Sequence, residues 1–162
     1  MSVAFFLKLV IILFGKELKL MNKDKVYIFL DIDGVLNAPG DKIILEMFEE
    51  SKLKIFTNFA LSYNAVIVIT SSRRFYSNDV KIINEVFGEH FNIILLNEKK
   101  TSKYRGKEIE YFILANNISR YVIFDDVDNH ISDVEKLNKH FVLVNYLTGL
   151  TNLDLAKAKQ IL

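Results

Sequence analysis

Hydrophobic residues in this chain gather into short unbroken runs, and the stretches between the runs carry their apolar residues at helical spacing. Val26-Tyr27-Ile28-Phe29-Leu30 is rich in β-branched and aromatic residues and does not alternate with polar ones. A strand covered on both faces has that pattern, as strands of parallel sheets do. Leu45, Phe48, Ile55, Phe56, Phe59 and Tyr63 follow at the 3.6-residue period and predict a helix over about 43–62. Ala65-Val66-Ile67-Val68-Ile69 predicts a second buried strand. Ser77 or Asn78 stands where a cap would open the next helix, whose face carries Val80, Ile83 and Phe87 and which ends near Gly88. Asn92-Ile93-Ile94-Leu95-Leu96 reads as a third strand, and Ile109, Phe112 and Ile113 mark another helix face. Tyr121-Val122-Ile123-Phe124 is a fourth strand, followed by a short helix around 131–139 and a fifth strand, Phe141-Val142-Leu143-Val144. Thr151, with Asp154 three residues on, predicts a box-like cap at the start of the last helix. This alternation implies an α/β fold, a Rossmann-like three-layer sandwich on a mainly parallel sheet of about five strands. Pattern alone leaves the strand order open.

The size, 162 residues, suits one domain with a proper core. One proline and six glycines argue against a long linker. The absence of cysteine excludes a disulfide framework, a thiolate nucleophile and Cys-ligated zinc, and suits a reducing cytoplasmic setting. With 21 basic and 20 acidic residues the net charge is +1, so bulk charge lends no support to duplex binding through phosphate neutralisation. The apolar stretch Val3–Phe14, interrupted by Lys8, is shorter than the roughly 20 residues of a spanning helix. It lacks the basic start and small-residue cleavage pattern of a signal peptide. A membrane anchor through residues 1–14 is the less favoured reading; an extra segment 1–20 ahead of a domain at 21–162 is preferred, because Met21 stands just before the first core strand.

Three of the strands end in polar residues: Asp31 and Asp33 before Gly34, Thr70 and Ser71, and Asp125 and Asp126. In a parallel sheet the carboxyl ends of the strands lie along one edge, where ligands bind, so these residues converge although far apart in sequence. Two acids at a buried strand end repel each other and lose solvation, and a divalent cation compensates both effects. Glycine lets the backbone turn sharply past such a site.

The order of an Asp-x-Asp-Gly motif, a Thr-Ser strand end, a basic residue and an Asp-Asp strand end resembles the haloacid-dehalogenase superfamily, mainly magnesium-dependent phosphatases. More narrowly, Leu30–Asn37, Ile69–Arg74, Arg105–Ile109, Phe124–Asp126 and Gly149–Thr151 resemble the phosphatase domain of multifunctional RNA-repair proteins, with Arg73 where that branch has tryptophan. The resemblance spans about 26–162 and implies roles. Asp31 is the nucleophile and forms an aspartyl-phosphate. Asp33 protonates the leaving oxygen and then activates water. Magnesium is held by the Asp31 carboxylate, the Asp33 backbone carbonyl and Asp126, with Asp125 orienting that shell or binding directly. Thr70, with backbone amides near Ser71, holds phosphoryl oxygens. A cation from the basic segment balances the transferring charge, Arg105 fitting best, with Lys107 and Lys103 within reach. Arg74 contacts a substrate phosphate or caps backbone carbonyls. Asp128 follows Asp126 closely and reads equally as a member of the metal shell or a loop acid, whereas His130, also close, reads as a loop residue rather than a site residue; His90 reads as a boundary residue, and His140 has no evident partner.

The intervals 37–66 and 72–105 are too short for the cap domain that many relatives carry. By the resemblance, an open site favours exposed phosphate ends on larger molecules, so the expected substrate is a nucleotide or polynucleotide phosphate. A small-metabolite phosphatase on the same scaffold is the alternative. A catalytically weak phosphate-binding or receiver-like module is disfavoured by Asp33, the second acid, and by the late Asp-Asp pair. The oligomeric state is not legible.

Overall fold

The computed structural model describes residues 25–39, 47–96 and 105–162, with the side chain of His130 excepted. The apolar N-terminal segment, the expected helix start at 43 and Lys103 lie outside the described residues. Five strands, all parallel, form one sheet: β1 (Val26–Leu30), β2 (Val66–Ile69), β3 (Asn92–Leu95), β4 (Arg120–Asp125) and β5 (Phe141–Leu143). The order is β3-β2-β1-β4-β5. The chain therefore winds outward from β1 on one side, then crosses to build β4 and β5 on the other. The reversal leaves a crevice beside β1 and β4, the place where open α/β sheets bind ligands.

Five α-helices complete the described layers: α1 (Glu50–Ser62), α2 (Ser77–Phe87), α3 (Arg105–Asn116), α4 (Glu135–Asn138) and α5 (Asn152–Ile161). The unbroken apolar run of β1 has a direct cause in this layering. Val26, Ile28 and Leu30 enter one core with Phe56 and Phe59 of α1, Phe87 of α2 and Leu155 of α5. Tyr27 and Phe29 point the other way, into a second core with Ile109 of α3 and Leu137 of α4. Both faces of the strand are dry, so both sets of alternating positions must be apolar. Aromatic rings supply much of the packing: Phe56 meets Phe87 and Phe124 edge-on at centroid distances of 5.9 and 6.4 Å.

Three local expectations need correction. The first helix begins at Glu50 rather than near 43, since residues 47–49 are described and not helical. Neither Ser77 nor Asn78 caps α2: Tyr76 is the capping residue, with extended backbone and no side-chain cap bond, and Asp79 instead complements the helix dipole from the first turn. The short helix around 131–139 is a 3₁₀ turn at Asp128–His130 followed by the single α turn of α4. The reciprocal cap at α5 forms as expected, with Thr151 Oγ1 accepting from the Asp154 amide and the Asp154 carboxylate accepting from the Thr151 amide. Among the described residues no helix is long and apolar enough to cross a membrane.

Phe56 is fully buried between two other rings. Truncating it to alanine removes that burial and leaves a cavity, so Phe56→Ala is expected to cost about 3–5 kcal/mol. Urea unfolding with an unchanged m-value is the check.

Candidate active site

The register of the sheet brings the strand ends to one level. Leu30 pairs with Ile69 on one side and Phe124 on the other, so the next residues, Asp31, Thr70 and Asp125, emerge together. The ladder continues one step beyond the strands: the Asp31 amide donates to the Phe124 carbonyl at 3.0 Å, and the Thr70 amide to the Leu30 carbonyl at 2.9 Å. After Asp31 the chain must turn within a few residues. Gly34 makes this possible at φ +72, and a Cβ there would lie 2.3 Å from Asp126 Oδ2 and 2.8 Å from the Tyr146 ring. Only glycine satisfies both the backbone and the space. Asn37 closes the turn, accepting from the Gly34 amide at 2.9 Å and donating to Asp33 Oδ1 at 3.1 Å and the Met47 carbonyl at 3.0 Å.

Asp31, Asp125 and Asp126 each present a carboxylate oxygen within 4.8 Å of the others. Asp31 and Asp125 are buried, and burial above all pushes the Asp31 carboxyl up despite the Arg105 charge beside it. Arg105, from the first turn of α3 and only 4% exposed, inserts one nitrogen between the two: Nη1 donates to Asp31 Oδ2 at 2.7 Å and to Asp125 Oδ2. Burial alone would lower the Arg105 pKa, but the two carboxylates outweigh it and raise it, so the guanidinium stays charged. Asp31 Oδ1 also accepts from the Ile32 amide, and Asp125 Oδ1 from the Val127 amide. Asp126 titrates at about 6, raised by burial first and then by the Asp31 and Asp125 charges.

With the acids ionised, three negative charges face one positive, a local charge of −2. Hard carboxylate oxygens with that deficit suit a divalent cation, and magnesium fits the donor set of Asp31, Asp125 and Asp126. Thr70 Oγ1 is fully buried at the same edge without a hydrogen-bond partner among the described residues, a donor left for a bound oxygen.

Asp33 has a different environment. Its carboxylate lies outside the three-acid group and is gripped by Arg73, whose Nε donates to Oδ2 at 2.9 Å and whose Nη2 donates to Oδ1 at 2.7 Å. Burial would raise the Asp33 pKa, but the hydrogen bonds from Arg73 and Asn37 and the Arg73 charge hold it below the usual carboxylate range. Arg73 Nη1 reaches Asp79 Oδ2 at 3.3 Å.

The structure thus brings Asp31, Thr70, Arg105, Asp125 and Asp126 together, with Asp33 and buried Ser71 alongside. Arg74 takes the backbone-capping role rather than that of a substrate contact. Its Nε donates to the Leu96 carbonyl at 2.7 Å, Nη1 to the Thr70 and Ser71 carbonyls, and Nη2 to Glu108 Oε2 at 2.7 Å. All three donor nitrogens of the guanidinium face the protein. Lys107 is exposed on α3, where it pairs with Glu110 at 3.4 Å. Asp128 and His90 are exposed. His140, whose partner sequence did not suggest, stacks on Tyr121 at 3.9 Å and faces its carbonyl through Nδ1. Sequence reading missed Arg73, Asn37, Glu108 and Tyr146 as site or support residues. Asn37 carried a signal, lying three residues beyond Gly34, but the other three are visible only once the chain is folded.

Two outcomes follow from these environments. Arg74→Ala breaks the buried Arg74–Glu108 pair and removes the guanidinium from the Thr70, Ser71 and Leu96 carbonyls, and is expected to destabilise by about 3–5 kcal/mol in chemical unfolding. Asp126 binds its proton more tightly folded than unfolded, because its pKa of about 6 exceeds the ordinary 3.8. Its ionised form therefore costs stability above that range, and the cost vanishes as pH falls through it. Asp126→Asn should raise the melting temperature of the metal-free protein by a few degrees at neutral pH, with the gain lost near the ordinary carboxylate pKa; circular dichroism melts in EDTA read this directly.

Comparison with curated proteins gives no match. The family described as "HAD domain in Swiss Army Knife RNA repair proteins" matches residues 27–155, from the second residue of β1 into α5, and so takes in every site residue above. With that span matched and the acids seated at the ends of a parallel sheet, the chain belongs to the haloacid-dehalogenase domain family of RNA-repair proteins.

Proposed function

We propose that this domain is a magnesium-dependent phosphomonoester hydrolase that works through an aspartyl-phosphate on Asp31 and acts on nucleotide or polynucleotide phosphate ends. The observation that carries the reading is the seat of Asp31. It is a buried carboxylate at the switch point, bridged by Arg105 to Asp125 and grouped with Asp126. Asp31, Asp125 and Asp126, with the Asp33 backbone carbonyl, are the residues to hold magnesium, which when bound neutralises charge on the phosphoryl oxygens.

In the first half of the reaction an Asp31 carboxylate oxygen bonds to phosphorus while the bond from phosphorus to the leaving oxygen breaks. Asp33 gives its proton to that oxygen. In the second half Asp33 takes a proton from water, the water oxygen bonds to phosphorus, and the Asp31–phosphorus bond breaks. Inorganic phosphate departs, Asp31 is ionised again and Asp33 again carries a proton. Thr70 Oγ1 supplies a hydroxyl donor to the phosphoryl group, and Arg105 keeps a positive charge beside it. The Arg73 pair favours the ionised Asp33 needed for activating water, and the proton-donating half requires that pair to loosen. The absence of a cap among the described residues and the RNA-repair family support a polymer end as substrate.

The test is phosphate release from p-nitrophenyl phosphate, a phosphorylated oligonucleotide and sugar phosphates, with magnesium or EDTA. Turnover is expected only with magnesium, fastest on the oligonucleotide, and reduced at least about a thousandfold by Asp31→Asn. Magnesium should also raise the melting temperature of the natural protein and leave Asp126→Asn nearly unmoved. Turnover that survives Asp31→Asn overturns the mechanism, and preference for sugar phosphates moves the substrate to small metabolites.

A further inference from the structure

Beyond the phosphoryl site, one feature on its rim has no role in the chemistry above. Residues Phe75, Tyr76, Ser77, Asn78 and Asp79 line an open recess of about 550 Å³ where the 3₁₀ turn Ser72–Phe75 runs into α2. That volume falls in the range of roughly 300–1,000 Å³ common for small-molecule sites. Phe75 is held from one side by the Arg74 guanidinium, 4.2 Å from the ring centroid. Tyr76 is 60% exposed, a large flat ring with little covering it. Ser77 and Asn78 add hydroxyl and amide groups that donate and accept.

The recess is tied to the reaction centre by two ion pairs. Asp79, on its wall, faces Arg73, and Arg73 grips Asp33. In the proposed reaction Asp33 protonates the leaving oxygen, and the recess wall at Asp79 lies one guanidinium away from it. Arg73 is shared by Asp33 and Asp79, so this wall keeps one negative charge in excess, which disfavours an anion and suits an uncharged planar group. Aromatic faces beside hydrogen-bonding edges are how proteins hold unstacked bases.

We infer that this recess seats the nucleobase of the leaving group, with Tyr76 as its stacking surface. The inference rests on the phosphatase reading for the position of the leaving group.

The experiment uses the full chain with magnesium and compares adenosine 5′-monophosphate with ribose 5-phosphate, which differ only in the base; adenosine 3′-monophosphate covers the other end. Tyr76→Ala should lower the kcat/KM ratio of nucleotide to sugar phosphate about tenfold, through KM, the scale of one lost base stack. Tyr76→Phe should retain the ratio, and so should Tyr111→Ala, which removes an equally exposed tyrosine from α3. A second arm titrates Asp31→Asn with adenosine and follows the amide NMR signals of 75–79. Shifts that vanish when Tyr76→Ala is added support the recess even if no substrate is turned over, in which case the phosphatase reading alone fails. Turnover with a ratio unmoved by Tyr76→Ala, or no adenosine-dependent shifts at 75–79, overturns the recess and leaves the phosphatase reading standing.

Discussion

Burying carboxylates at the ends of adjacent strands is costly, and the Arg105 bridge is what this structure sets against that cost. β1 and β4 are hydrogen-bonded neighbours, so Asp31 and Asp125 must emerge side by side into a dry crevice. Arg105 places one guanidinium nitrogen between them from the first turn of α3. One turn further on, Glu108 takes Arg74, and Arg74 in turn satisfies the carbonyls of Thr70, Ser71 and Leu96 at the ends of β2 and β3. A single helix turn thus ties together the ends of four strands. The geometry of the site and the closure of the sheet edge share the same side chains.

The compensation is partial by construction. One guanidinium against three acids leaves a negative deficit, and the raised pKa of Asp126 reflects it. A site that neutralised itself completely would have no affinity left for a divalent cation or for a phosphoryl group brought by one. Thr70 shows the same incompleteness in hydrogen bonding, its hydroxyl buried and unpartnered at the same edge. Residual charge and a residual donor at one edge are what the proposed phosphoryl chemistry requires.

Arg73 gives this chain its own character. Its guanidinium clamps Asp33 and leans on Asp79. The acid and base of the proposed reaction is therefore held ionised and oriented, and the adjoining turn exposes an aromatic surface at Tyr76.

The fold was legible because both faces of the sheet are dry. That demand writes itself directly into runs such as Val26–Leu30 and into the helical spacing of Phe56 and Phe59, so the α/β class and the three polar strand ends could be read without coordinates. Local hydrogen bonding wrote the Thr151–Asp154 cap just as plainly. The opening of α1 at Glu50 and the uncapped start of α2 were not legible, because neither carries a side-chain cap to mark it. Strand order, the division of labour between neighbouring Arg73 and Arg74, and the Glu108 support came only with the tertiary structure. Consecutive residues in a 3₁₀ turn point in different directions, and sequence does not say which meets a carboxylate and which meets the backbone. Residue types at strand ends are fixed by local chemistry; their partners are fixed by the order in which strands lie side by side, which no local pattern encodes.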